Sequence, residues 1–245
     1  MRLNSALVGG LIFTAMAAAS SESAAASLQL TPINIDVTAP GAAATLTLKN
    51  DGERPLNAQI RVFRWTQTKG EESLAPTEDV VASPPAALLK SGATYTVRIV
   101  HVGKAAVLHE EGYRLLVDEL PDNEHADGAA IRMVLRYSIP VFFEPAGYRN
   151  PQVSWSIRQQ GGRAFVSATN SGDRRVRISR LRLQDAKGTT VSFGDGLTGY
   201  VLGHSTMQWV APRNAQRLSA RGVILISSVG DLGPISAKAS IEDAN

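Results

Sequence analysis

Histidine and serine side chains are among the groups in this chain that could do chemistry, so their spacing limits which reactions are open to it. The four histidines lie far apart, and none falls in an HExxH or similar metal-binding spacing: they are His101, His109, His125 and His204. Ser205 lies in GHSTM, which lacks the second glycine of a nucleophile elbow. These residues therefore predict neither a metal centre nor a serine nucleophile.

Acidic side chains could act in acid–base chemistry or bind calcium. Asp118 and Glu119 are adjacent, and adjacent residues of a strand point to opposite faces, so they cannot easily share one substrate. The acidic stretch of Asp122, Glu124 and Asp127 lacks the ladder of ligands of a calcium loop and is typical of a solvated turn. We therefore predict that the protein is not an enzyme, and that it has no catalytic residue, cofactor or metal.

The first 26 residues have the features of a secretory signal peptide. Arg2 gives a positive start, a mostly apolar run follows from Ala6 to Ala19, and small residues then offer cleavage sites, the best after Ala26 and the next after Ala19. The alternatives are a buried helix and a retained anchor. No later stretch is apolar enough to cross a membrane, so we expect an exported, soluble mature chain without membrane insertion.

The composition of the chain bears on how the fold is stabilised and on which partners the protein could bind. The chain has no cysteine, so burial alone must hold it together in an oxidising compartment. The net charge of +3 is too modest to argue for nucleic-acid binding. A local basic cluster is expected to be a solvated strand face rather than a binding patch; its members are Arg174, Arg175, Arg177, Arg180 and Arg182.

Short apolar runs separated by Gly, Pro, Asn and Asp predict an all-β protein. A Pro/Gly-containing joint near residue 145 divides these runs into two immunoglobulin-like β-sandwich domains, 27–145 and 146–245, set at an angle with a cleft between them. The predicted strands are Leu28–Val37, Ala43–Leu48, Ala58–Trp65, Thr94–Val100, Tyr113–Leu120, Ile131–Phe143, Val153–Arg158, Ala164–Thr169, Arg175–Leu183, Thr190–Phe193, Thr206–Val210, Gly222–Ser228 and Ile235–Ile241.

The strand Ile131–Phe143 is unusual in length and pattern. Apolar residues occupy every second position from Ile131 onward, which places them on one face. Pro140 lacks an N–H donor, which favours a sheet edge or a bulge. An exposed apolar edge is an aggregation hazard unless lending that edge to another chain is the function.

The mature chain resembles the periplasmic pilus-assembly chaperones of the chaperone–usher pathway, because several sequence blocks occur in the order found in that family. They are LTPINIDV and LTLKNDGERP, RVFRWTQ, SPPAALLKSGATYTVRI, YRLLVDELP, LRYSIPVFFEP and SATNSGDRRVRISRLRL. The short loop of about residues 121–129 and the RVFRWTQ and LRYSIPVFFEP blocks resemble the short-loop, archaic branch associated with spore-coat-U-like subunits. The resemblance implies a periplasmic chaperone that folds and caps pilus subunits by donor-strand complementation and delivers them to an outer-membrane usher.

The resemblance also assigns roles to residues. The positions that match the inserting residues of the donor strand are Ile131, Met133 and Leu135. The basic pair that grips the carboxylate of the subunit in better-known members falls on Asn34 and Pro140, and neither is basic here. Candidates for a moved carboxylate anchor are Arg98, Arg64, Arg136 and Lys90. Glu144 replaces an arginine that many members use in an interdomain ion pair, and an arginine of the second domain is its conceivable partner.

The alternative to a chaperone is a secreted structural pilus subunit or adhesin built from the same sandwiches. Such a subunit should carry a free N-terminal donor extension and lack its own last strand, whereas this chain enters LQLTPINIDV within a few residues of cleavage. The expected partners are pilus subunits and the usher. Self-association without a subunit is compatible with an exposed strand edge.

Overall fold

The computed structural model describes residues 28–120, 134–147, 150–219 and 222–242, and all regular elements in these ranges are β-strands. The described residues contain no helix, and so none that is long and apolar enough to cross a membrane. The strands form two β-sandwich domains, each around its own apolar core. The predicted all-β, two-sandwich architecture is therefore confirmed. The predicted signal peptide lies outside the described residues.

The first sandwich consists of ten strands in two sheets. The strands are β1 (Leu28–Thr31), β2 (Ile35–Thr38), β3 (Ala43–Asn50), β4 (Leu56–Thr68), β5 (Glu71–Pro76), β6 (Val80–Ser83), β7 (Ala86–Leu89), β8 (Thr94–His101), β9 (Glu111–Leu120) and β10 (Arg136–Glu144). One sheet has the order β1-β3-β8-β6 and the other the order β2-β10-β9-β4-β5, with β7 also paired to β4. The alternating inward residues of both sheets fill the space between them.

The second sandwich consists of eight strands. They are β11 (Val153–Gln160), β12 (Arg163–Asn170), β13 (Val176–Gln184), β14 (Thr190–Ser192), β15 (Leu197–Val201), β16 (Ser205–Val210), β17 (Val223–Gly230) and β18 (Gly233–Glu242). The hydrogen-bonded order is β14-β13-β17-β18-β11-β12-β16, with β15 paired to β13. Strand β18 joins the two faces of this sandwich, since it pairs antiparallel with β17 and then, at its end, parallel with β11.

The predicted strand Leu28–Val37 is in fact two strands in different sheets. The chain leaves β1 at Pro32, which has no N–H for a ladder. Strand β1 pairs antiparallel with β3, whereas β2 pairs parallel with β10. The first strand thus changes sheet, and only its second half lies beside β10.

Several strands were not predicted from the sequence. All six residues of β5 are exposed, so no apolar alternation marks that strand. Strands β6 and β7 are four residues each, too short for a pattern to be recognised. Strand β15 contains Gly199, where an added Cβ atom would lie 3.1 Å from the ring nitrogen of Trp209.

A buried asparagine plays the same part in both sandwiches. Asn50 at the end of β3 accepts a hydrogen bond from the Gly52 amide and donates to the carbonyls of Arg54 and Leu89. Asn170 at the end of β12 accepts from the Gly172 amide and donates to the carbonyl of Arg174 and to those at the end of β15. Each asparagine therefore fixes the turn that follows its strand.

Candidate functional site

Strand β10 is paired along only part of one of its edges. Its first edge pairs with β9 from Arg136 to Phe143. Its second edge pairs with β2 only from Val141 to Glu144. Between Arg136 and Pro140 that second edge has no strand partner within the described parts of the chain. A row of unpaired main-chain groups of this kind can accept a strand from another protein.

The inward face of β10 carries the apolar stripe seen in the sequence. Ile139, Val141 and Phe143 are buried in the core of the first sandwich. Tyr137 is half-buried, and its hydroxyl donates a 2.8 Å hydrogen bond to the Leu28 carbonyl of β1. The stripe thus fills the core of the first sandwich at one end of the strand and reaches the rim of the sandwich at the other.

Leu135 lies at that rim, one residue before β10, and its side chain is half-buried. Its carbonyl accepts a 2.9 Å hydrogen bond from the Glu119 amide, so the backbone still follows β9 at this point. By alternation Leu135 lies on the same face as Tyr137 and Ile139. Ile131 and Met133, the other two predicted inserting residues, lie outside the described residues.

Two of the four predicted carboxylate anchors already have acidic partners. Arg136 pairs with Asp118, which also binds Arg61 at 2.6 Å. Burial opposes ionisation of Asp118, but hydrogen bonds from Arg136 and Arg61 outweigh it and hold the pKa of this carboxyl below its usual range. Arg64 donates to Glu111 at 2.9 Å and to the Tyr113 hydroxyl at 2.6 Å.

The other two predicted anchors lie away from the free edge of β10. Arg98 is exposed on β8, where it lies between Thr45 and Ser83 in the opposite sheet. Lys90 is exposed just after β7. The four candidates are therefore not brought together, and the structure gives no pair of them a common binding point.

Asn34 and Pro140 lie where the free edge ends. The parallel register begins with Ile35 opposite Val141, so these two residues are the next positions on their strands. The Asn34 amide donates to Asp36 at 2.7 Å, and Pro140 is buried. Neither side chain has a positive charge to offer to a carboxylate at this point.

Arg114 is a cation at this position that the sequence reasoning missed. It lies on β9 directly opposite Pro140, and cross-strand partners share a face. That face of the sheet is turned to the second sandwich, because Phe142 on it packs against Tyr200. The guanidinium stacks 3.7 Å from the centre of the Trp65 ring, and burial lowers the pKa of Arg114. A sequence signal existed, since Arg114 lies in the block YRLLVDELP.

Arg175 joins the two sandwiches through a buried charge cluster. From the second sandwich it donates to Glu144 at 2.8 Å and to Glu110, and it pairs with Asp36 of β2. The Arg175 side chain is 4% exposed, and those of Glu110 and Glu144 are 2% exposed. Its guanidinium also lies 3.5 Å from the centre of the Phe142 ring. The partners of Glu144 in the second domain are thus Arg175 and, at 3.3 Å, Arg174.

The prediction of a solvated arginine face is wrong for Arg175. Arg180 and Arg182 are exposed as expected, whereas Arg175 is buried against three carboxylates of the first sandwich. Burial raises the pKa of Glu110 in this cluster to about 7, although Arg175 pulls it down. The positive charge of Arg175 therefore balances the carboxylates of the first sandwich only while the two sandwiches are in contact.

An aromatic cluster next to these charges completes the joint. Trp65 and Phe142 from the first sandwich pack against Tyr200 and Leu202 from the second. The Gln67 amide donates to the Tyr200 carbonyl at 2.8 Å and accepts from the Leu202 amide at 2.9 Å. These contacts fix how the strand edge of β10 faces the second sandwich.

A group of possible metal ligands also forms at the joint. His109, Asp173 and His204 place one donor atom each within 4.8 Å of one another. No sequence motif indicates this group, because its three residues come from different domains.

Comparison with known proteins agrees with this geometry. Residues 27–149 match the family model described as pili and flagellar-assembly chaperone, PapD N-terminal domain. No curated protein has significant sequence similarity to the chain. A chain in the crystal structure of the CsuC–CsuE chaperone–tip adhesion subunit pre-assembly complex, from archaic chaperone–usher Csu pili of Acinetobacter baumannii, is 26% identical. That match has a TM-score of 0.69 and covers 90% of this chain and 100% of the other.

More distant structures share the fold. The CupB2 chaperone of Pseudomonas aeruginosa is 17% identical with a TM-score of 0.53, and the match covers 87% of this chain and all of the other. A chain of the Salmonella enterica SafA pilin–SafB chaperone complex is 16% identical with a TM-score of 0.59, covering 86% of this chain and 95% of the other.

Proposed function

The chain belongs to the family of pili and flagellar-assembly chaperones, and from this premise we propose that it acts in the periplasm by donor-strand complementation. It lends β10 to a pilus subunit that lacks a strand, keeps that subunit folded, and passes it to an outer-membrane usher. The observation that carries this proposal is the edge of β10 from Arg136 to Pro140, which has no strand partner among the described residues. Leu135, the residue before β10, extends the apolar face of the strand.

The apolar stripe supplies the affinity. Ile131, Met133 and Leu135 are the proposed anchors, each of which would fill a pocket in the open groove of the subunit. Full burial of one such side chain contributes about 1.5–3 kcal/mol, so three offer about 5–9 kcal/mol before ordering costs. That is enough to hold a subunit and still allow a better-fitting strand from the next subunit to replace β10. No nucleotide is required for such an exchange.

The presence of β10 favours a chaperone over a structural subunit. A subunit that must receive a strand leaves its own sheet open, whereas here β10 closes the first sandwich against both β9 and β2. The sandwich therefore has a complete core and a surplus edge, which suits a donor rather than an acceptor.

Capture of a subunit tests the donor strand. We expect Leu135→Asp and Met133→Asp each to weaken binding of a co-expressed pilus subunit by at least about tenfold, since a charge in an apolar pocket is costly. Val223→Asp is the matched control, because Val223 is an exposed β-branched residue of the second sandwich. Affinity purification from a periplasmic extract, followed by titration with refolded subunit, measures the effect. Normal capture by both donor-strand variants would overturn the proposal.

We place the carboxylate anchor at Arg114 rather than at the four residues chosen from the sequence. Arg114 lies directly opposite Pro140, where the free edge ends, and an arginine pairs well with a carboxylate. Arg114→Met should weaken capture of a subunit, whereas Arg98→Ala in the opposite sheet should not. Removing the last residue of the subunit should have no further effect in the Arg114→Met background. Additive losses would show that Arg114 does not contact the carboxylate.

A further inference from the structure

We propose that His109, Asp173 and His204 form a site for a divalent transition metal ion of the Zn²⁺ type that links the two sandwiches. His109 lies in the loop between β8 and β9 of the first sandwich. Asp173 lies in the turn between β12 and β13, and His204 in the turn between β15 and β16. The site goes beyond subunit capping and does not depend on it.

The distances are those of a site that small side-chain rotations would close. The His204 Nε2 atom lies 2.8 Å from an Asp173 carboxylate oxygen, and all three donor atoms lie within 4.8 Å of one another. Ligands of a tetrahedral Zn²⁺ ion, each at about 2.0–2.2 Å, are about 3.4 Å apart. Both histidines are exposed, so their rings can turn to close the remaining distance.

The two imidazoles are arranged to share one ion. Their ring centres are 5.9 Å apart and their planes meet at 82°. Two histidines and one carboxylate are an established ligand set for Zn²⁺, with water in the fourth position.

The backbone holds two of the three ligands in place. A side chain at Gly203 would come within 2.3 Å of the Asp173 carbonyl, so the two turns pack backbone against backbone. His204 adopts a φ of 54°, and its amide donates to the Gly172 carbonyl at 3.2 Å. The Asn170 side chain connects the two turns, because it donates hydrogen bonds to the carbonyls of Arg174 and Leu202. Such preorganisation lowers the ordering cost of binding an ion.

Binding should stabilise the joint, because the ligands come from both sandwiches. An ion that binds only the folded, docked form raises stability in proportion to the logarithm of its concentration over Kd. His109 is the decisive residue, since it is the one contribution from the first sandwich. Loss of His109 should therefore abolish the stabilisation even though the pair of Asp173 and His204 remains.

The test uses the untagged mature chain after treatment with a chelator. Calorimetry with Zn²⁺ should show one ion bound per chain with a micromolar Kd, and His109→Ala and His204→Ala should each weaken it at least about tenfold. His101→Gln is the matched control, as His101 lies outside the site and contacts Glu111. Wild-type Zn²⁺ affinity in both His109→Ala and His204→Ala would overturn the proposal.

A measurement on the wild-type chain guards against misfolded variants. X-ray absorption at the zinc edge should show two imidazole ligands and otherwise oxygen ligands. Fewer than two imidazoles, or no binding of Zn²⁺ in the micromolar range, would refute the site. The melting temperature should rise with added Zn²⁺ and not with Mg²⁺, which prefers oxygen ligands.

Discussion

Replacing Arg175 with methionine should destabilise the protein far more than removing an ordinary surface arginine. Methionine keeps much of the side-chain volume but removes the positive charge. Glu110 would then remain buried, at 2% exposure, without the charge of Arg175, while Glu144, also 2% exposed, would keep its contact with Arg174 at 3.3 Å. Breaking a buried ion pair in this way typically costs about 3–5 kcal/mol. Glu110 can take up a proton near pH 7, and a neutral carboxyl is less costly to bury than a carboxylate. We therefore expect a loss of about 3 kcal/mol in the free energy of unfolding, the lower end of that range.

Arg182→Met is the matched control for this variant. Arg182 pairs with Asp195 at 2.8 Å, but the two side chains are 50% and 83% exposed. A surface pair of this kind contributes less than about 1 kcal/mol. The two substitutions are chemically the same, so the difference between them reports burial of the charge cluster.

Urea unfolding of the mature chain, followed by tryptophan fluorescence, measures both variants. Trp65 is buried in the aromatic cluster at the joint and reports its opening. Adding Glu110→Gln to Arg175→Met should restore part of the lost stability, because it removes a buried charge that has lost its partner. If Arg175→Met costs no more than Arg182→Met, or if Glu110→Gln restores nothing, the charge cluster does not hold the joint as described.

Two further predictions concern the contacts of β10 with β9 and β1. Asp118→Asn should flatten the acid limb of the stability profile: the lowered pKa of Asp118 means that its contribution is present above the unfolded value of 3.8 and is lost as pH falls through the lower folded value. An unchanged acid limb in urea titrations at several pH values would contradict this. Tyr137→Phe should cost about 1 kcal/mol, because it removes the hydrogen bond to the Leu28 carbonyl. Equal stability of this variant and wild type would show that the bond contributes nothing.

Local pattern was enough to predict most strands and the special character of β10. Its alternation is a property of consecutive residues, and the core positions Ile139, Val141 and Phe143 follow from it directly. The change of sheet between β1 and β2 could not be predicted in the same way. Buried residues alternate within each half, Leu28 and Leu30 in β1 and then Ile35 and Val37 in β2, and the phase shifts by one residue between them. Only the pairing with β3 and β10 shows that the two halves lie in different sheets.

The candidate site was less accessible from the sequence, because its charges act over long separations. Arg175 looked like a surface residue among neighbouring arginines, while its partners Glu110 and Glu144 are 65 and 31 residues away. Arg114 could not be placed opposite Pro140 without the register of β9 and β10. The inserting residues Ile131 and Met133 stay predictions, and so do the domain limits 27–145 and 146–245.

The short pairing of β2 with β10 limits the length of any strand that another protein adds to β10. Any strand added to the free edge must end where β2 begins, at the level of Asn34 and Pro140. Strand β2 therefore limits the added strand at a fixed position, and this position sets the register of the added strand against β10. An added strand that is one residue too long would pair with β10 one position out of register. Each side chain of the added strand would then lie on the opposite face of the sheet. Under the proposed donor-strand mechanism, selection among subunits would therefore depend on the length of the segment that pairs with β10 as well as on its composition.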